Sequence, residues 1–110
     1  MYNQTMSKSD NSRKTFEEAF ELVNEEVKQM FISKHLDYGK GNIMETGEMG
    51  IVFRISDKVS RLKNLLMAQK EPEHESVEET WIDIATYAVI AIMFKRGWFQ
   101  ELELSEESKK

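Results

Sequence analysis

Cysteine is absent from the chain, which excludes disulfides, thiolate metal sites and a cysteine nucleophile. Proline occurs once, at Pro72, so long helices are free to form everywhere else. No apolar run reaches the roughly 20 residues that a bilayer-spanning helix needs, and the N-terminus carries no apolar signal region. Membrane contact is therefore not expected, and the cytoplasm is the default location. An excess of positive charge is also missing: 15 Lys and Arg stand against 20 Asp and Glu, so direct binding of duplex nucleic acid is not expected.

What the chain does have is helix punctuation, clearest over residues 76–97, SVEETWIDIATYAVIAIMFKRG. Ser76 followed three residues later by Glu79 forms a capping box, and Gly97 supplies a stop. Glu78 and Glu79 lie at the positive end of the helix dipole, Lys95 and Arg96 at the negative end. Between them nearly every side chain is apolar on all sides, the pattern of a helix surrounded by others. Asp83 interrupts it. An ionised carboxylate in an apolar interior has to be paired with a cation, bound to a metal or held neutral. Glu79 lies one turn before Asp83 and Tyr87 one turn after, so the three share a face. Asp83 is then either one half of a structural ion pair or part of a site.

A chain of 110 residues makes one domain, helped by oligomerisation. Residues 1–14, polar and rich in Ser and Asn, read as a disordered leader, with a single all-α domain over residues 15–107. Thr15 and Glu18 form a second capping box, opening a helix that ends near Gly39. Its apolar stripe is Phe16, Phe20, Val23, Val27, Met30 and Phe31, a pattern that belongs to a core rather than a ligand cage. The segment HLDYGKGNIMETGEMG reads as a loop. Glycines beside Asp37, Tyr38, Lys40 and Asn42 allow either a capped helix–helix turn or close approach of a phosphate to backbone N–H groups; the Gly-Lys-Ser/Thr ending of a Walker loop is missing. His35 stands alone and reads as a satisfied polar residue.

In chain order the second long helix is expected over residues 46–69, with Ile51, Ile55, Val59, Leu62 and Leu66 as its buried stripe and Pro72 beyond its end. Beside the stripe runs a charged row, Arg54, Asp57, Lys58 and Arg61, at i, i+3, i+4 and i+7. Three cations around one acid can remain solvated, pair with Asp83, or hold a phosphate. By chemistry Lys58 suits the structural pairing, and the planar guanidinium groups of Arg54 and Arg61 suit the phosphate.

The runs KHLDYGKGNI, RISDKVSRLKNLL and ESVEETWIDIATYAVI together resemble the small phage and bacterial family called the first nucleotide modification associated domain. Its pattern is K-x-x-DYG, then a K-x-x-R helix preceded by R-I, then an ES-x-x-D/E-T-x-x-D-x-A-x-Y-A helix. The resemblance implies Asp37, Tyr38, Gly39, Arg54, Lys58, Arg61, Glu75, Glu79, Asp83 and Tyr87 as characteristic positions. It links the chain to phage nucleotide and base modification without naming a reaction, and to the cytoplasm of a host bacterium if the gene is a phage's. More distantly the chain is similar to MazG-like all-α nucleoside triphosphate pyrophosphatases, in which an ExxE helix faces an ExxD helix around Mg²⁺. Here the central helix has ExxxD, and the facing helix has RxxDKxxR, cations where acids belong.

These readings combine into an all-α, MazG-like bundle of three long helices and a short C-terminal one over residues 98–106. Its apolar Trp98, Phe99, Leu102 and Leu104 point to packing on a neighbour and hence a homo-oligomer. The expected function is binding, and even sequestration, of a phosphorylated nucleotide or nucleotide-derived signal between the second and central helices. The expected ligand-binding residues are Asp37, Tyr38, Gly39, Asn42, Arg54, Lys58, Arg61, Glu79, Asp83 and Tyr87. No cofactor is expected for binding. The first alternative is a divergent pyrophosphatase, with Glu79 and Asp83 as Mg²⁺ ligands. The second is a structural, protein-interaction bundle with an internal ion-pair network.

Overall fold

The structure, a computed structural model, describes residues 14–69 and 75–110. They form four helices and, among the described residues, no strand: α1 (Phe16–Tyr38), α2 (Gly41–Ala68), α3 (Val77–Lys95) and α4 (Trp98–Glu101). The protein is all-α, with three long helices and one short one. The leader expected before Thr15 lies outside the described residues except for Lys14, and Pro72 lies outside them altogether. No helix among the described residues is long and apolar enough to cross a membrane.

Both capping boxes form. Thr15 Oγ1 accepts from the Glu18 N–H while Glu18 Oε1 accepts from the Thr15 N–H, and Ser76 and Glu79 make the same exchange at 3.0 Å each way. Gly39 caps α1 by donating to the His35 carbonyl, and Gly97 (φ 79°) separates α3 from α4. The expected loop after Gly39 is instead mostly helical. α2 begins at Gly41 and bends at Gly47, where φ 69° and ψ −161° leave the helical region. At the other end, the short C-terminal helix stops at Glu101 rather than running to residue 106.

α3 is central, packed against α1, α2 and α4. Ile43, Ile51, Ile90 and Phe99 form the core, with Phe31, Ile55 and Tyr87 against it. Four expected packing patterns differ in the structure. Only the C-terminal half of the α1 stripe packs: Phe16 is 93% exposed, and Phe20 and Val23 are also exposed, because the first turns of α1 meet no facing helix among the described residues. On α2, Ile51 and Leu62 are buried but Val59 and Leu66 are exposed, since the Arg54–Lys58 edge takes part of the core-facing surface. Phe99, expected to face a neighbour, is buried in the chain's own core, while Trp98 and Leu102 beside it are exposed. Nor is α3 covered on every side: Trp81, Val89 and Ile92 are open to solvent.

Candidate functional site

Asp83 is buried, 5% exposed, at the centre of α3. Two ammonium groups meet it: Lys58 Nζ lies 2.9 Å from Oδ2 and Lys34 Nζ 3.4 Å from Oδ1. The second contact is an ion pair without hydrogen-bond geometry, which leaves Oδ1 with a free lone pair. Lys58 also donates to both Glu75 oxygens, at 3.1 and 3.2 Å. Burial pulls the Lys58 ammonium towards the neutral form, but hydrogen bonds and charge from Asp83 and Glu75 outweigh it and hold the pKa above the ordinary lysine value. Glu75 is fixed in turn by the fully buried Thr80, whose hydroxyl has Glu75 Oε2 and the Ser76 carbonyl each 2.9 Å away. Arg61 Nη2 donates to the Glu75 carbonyl at 2.6 Å. An acid from α3, cations from α1 and α2, and the residue entering α3 thus form one network.

Adjoining it is a cavity of about 260 Å³. Phe31, Lys34, His35 and Tyr38 come to its wall from one face of α1, at i, i+3, i+4 and i+7. Gly39, Asn42 and Ile43 line one end; Arg54, Tyr87, Ile90 and Phe99 close it from α2, α3 and α4. The aromatic wall is continuous, with the His35 ring 5.5 Å from that of Phe31 and edge-on to Phe99 at 6.0 Å. Lys34 Nζ stands 5.5 Å from the Tyr87 ring centre, so one ammonium serves both Asp83 and the cavity. Arg54 Nη1 is buried here without a hydrogen-bond partner among the described residues. On the other side of Lys34 a more open polar hollow of about 350 Å³ is lined by Met30, Glu75, Glu79 and Asp83.

Of the ten expected ligand-binding residues, Tyr38, Gly39, Asn42, Arg54 and Tyr87 line the cavity. Glu79 and Asp83 line the open hollow, and Lys58 links Asp83 to Glu75. Arg61 is not among the cavity residues: two turns of α2 beyond Arg54, it reaches the start of α3 instead. Asp37 is exposed and lines neither space, because its place on the helical wheel is turned away from the face that carries Lys34 and Tyr38. Lys40 does not cradle an anion. It donates to the Gln100 carbonyl at 3.0 Å and pairs with Glu103 at 3.1 Å, tying the helix–helix turn to the segment around α4. Among the described residues no group of three or more His, Asp or Glu is gathered as a metal would require.

The family described as Nucleotide modification associated domain 1 matches residues 34–94, more than half of the chain. The chain belongs to that family. No curated protein and no solved structure matches it, so the likeness to MazG-type pyrophosphatases has no support from either. The family span holds the whole Asp83 network and most of the cavity, and leaves out Phe31 and Phe99. Six of the cavity residues, Lys34, His35, Phe31, Phe99, Ile43 and Ile90, are not among the expected ligand-binding residues. For the first three a signal existed: they complete a helical face with Tyr38. Phe99 had none, since its position depends on how α4 folds back.

Proposed function

We propose that this member of the nucleotide modification family binds a phosphorylated nucleotide or nucleotide-derived molecule in the cavity between α1, α2 and α3, and that binding is its activity. The observation that carries the reading is Arg54: a permanent cation whose Nη1 is buried, without an acceptor among the described residues, in a space walled by Phe31, His35, Tyr38, Tyr87 and Phe99. A buried guanidinium donor without a partner is costly, and a phosphate oxygen is its matching acceptor. The aromatic rings offer faces on which a base can stack. At about 260 Å³ the cavity suits one base or one phosphorylated sugar, with the rest of a larger ligand reaching out of its mouth.

The pyrophosphatase alternative requires Mg²⁺ on Glu79 and Asp83, and these side chains do not fit it. Glu79 Oε1 is engaged by the Ser76 N–H, and Asp83 already faces two ammonium groups within 3.4 Å, which would repel a dication. The test is a thermal-shift screen of nucleotides with and without Mg²⁺, followed by chromatography of the recovered ligand. Saturable stabilisation without metal, with the ligand returned intact, is the expected result. Metal-dependent conversion would select hydrolysis instead, and no response to any nucleotide would favour a purely structural bundle.

A further inference from the structure

The face of α3 opposite Asp83 carries a second pattern, independent of the cavity. Trp81, Ala85, Ala88 and Ile92 recur at spacings of four, three and four, the a/d rhythm of a coiled-coil seam. Trp81 is 54% and Ile92 51% exposed; Ala88 and the flanking Val89 are exposed as well. Extending the rhythm by one step each way reaches Glu78 and Lys95. The seam therefore reads acid, large, small, small, large, base.

That order is complementary to itself when reversed. Laid antiparallel on a second α3, Trp81 packs beside the partner's Ile92, Ala85 meets the partner's Ala88, and Glu78 meets the partner's Lys95, all in one register. The paired alanines let two helix backbones come close, and the reversed helix dipoles are aligned favourably. Laid parallel, the seam would place Glu78 on Glu78 and Lys95 on Lys95. We propose that this face is a homodimer interface, two α3 helices crossing antiparallel about an axis near Thr86 and Tyr87. The occupant is a second copy because the seam's charges and sizes match its own reverse. In the single chain Lys95 pairs with Glu48 at 3.1 Å, an exposed contact that the dimer would share or exchange. The interface lies on the opposite side of α3 from Asp83, so its success or failure is separable from that of the nucleotide reading.

Sedimentation or light scattering of the full chain supplies the test. Wild type is expected to be dimeric, and Ala88→Glu monomeric, with helix content by circular dichroism unchanged because residue 88 is exposed and Glu favours helix. Phe20→Glu, on the exposed start of α1, should remain dimeric. Glu78→Lys and Lys95→Glu should each weaken association a few-fold, and the double reversal should restore it, although it opposes the helix dipole within each chain. As the chain has no cysteine, Ala85→Cys/Ala88→Cys should oxidise to a covalent dimer through residue 85 of one copy and residue 88 of the other. A monomeric wild type overturns the proposal, as does a dimer that survives Ala88→Glu. Failure of the double reversal to restore association would overturn the antiparallel register.

Discussion

Arg54 and Lys58 leave the same side of α2 one turn apart and end in opposite circumstances. Lys58 is held by Asp83 and Glu75 in a network that spans three helices. Arg54 brings a buried nitrogen, Nη1, to an aromatic cavity where it meets no acceptor among the described residues. One region spends its charge on holding the helices together; the other keeps its charge in reserve. A cation matched by an acid from the same fold stabilises that fold, whereas an unmatched one lowers stability until something outside the protein supplies the acceptor. Equal composition along a helix face can therefore serve two ends, and the difference lies in what the facing helix presents.

The comparison breaks most severely at Asp83. Asp83→Ala leaves Lys34 and Lys58 facing a void, and a loss of about 3 kcal/mol in chemical denaturation is expected. Asp83→Leu should lose less, because it refills the volume. A neutral result for Asp83→Ala would show that the network is not structural.

Lys58→Met against Arg54→Leu sharpens the contrast. Lys58→Met should cost about 2 kcal/mol, since Lys34 alone remains on Asp83. Arg54→Leu should hold or raise the melting temperature and weaken binding of a responsive nucleotide by roughly 1.5–3 kcal/mol. The opposite ordering of the two variants, in melting temperature and in calorimetric affinity, would undo the division between the regions.

Arg61→Gln tests the boundary between them. Sequence alone favoured a ligand contact for Arg61, but its hydrogen bond to the Glu75 carbonyl predicts a loss of about 1 kcal/mol in stability and little change in affinity.

The smallest effect concerns pH. The Lys58 pKa is raised above its ordinary 10.5, so its share of stability is present below that value and lost as pH rises through the folded pKa. The melting-temperature gap between wild type and Lys58→Met should narrow in that alkaline range. The exposed Glu103 runs the other way: its hydrogen bond from Lys40 lowers its pKa below 4.5. A slight stabilisation, absent from Glu103→Gln, should therefore fade only as pH falls through that lowered value.

The helices were legible because their ends are written in short-range chemistry: Thr15 with Glu18, Ser76 with Glu79, and Gly97 each act within one turn. Asp83 was legible as an anomaly, an acid in an apolar run, and its pairing with Lys58 followed from charge type. What could not be read was depth. The Phe16, Phe20 and Val23 stripe has the spacing of a core, yet burial depends on a facing helix that periodicity does not reveal. Lys34 shows the same limit. It opens the K-x-x-DYG run, but its reach to both Asp83 and Tyr87 appears only once α1 is set across α3. The turn after Gly39 has the glycine content of a loop, yet its glycines bracket a short helical start.

Those glycines behave mechanically as two joints on one rigid link. Gly39 (φ 66°, ψ −153°) and Gly47 (φ 69°, ψ −161°) both occupy a corner of backbone space that is essentially closed to other residues, and between them runs the short helical block bearing Asn42 and Ile43. Apart from its own chain neighbours and helix backbone, an added Cβ would meet no atom within 4 Å at either position, so space does not forbid substitution; torsion does. The inclination of that end of the cavity thus depends on two pairs of dihedral angles together with the Lys40 tie and the burial of Ile43. Replacing either glycine would re-aim the link as a unit, carrying Asn42 and Ile43 together, much as resetting one elbow moves a whole forearm.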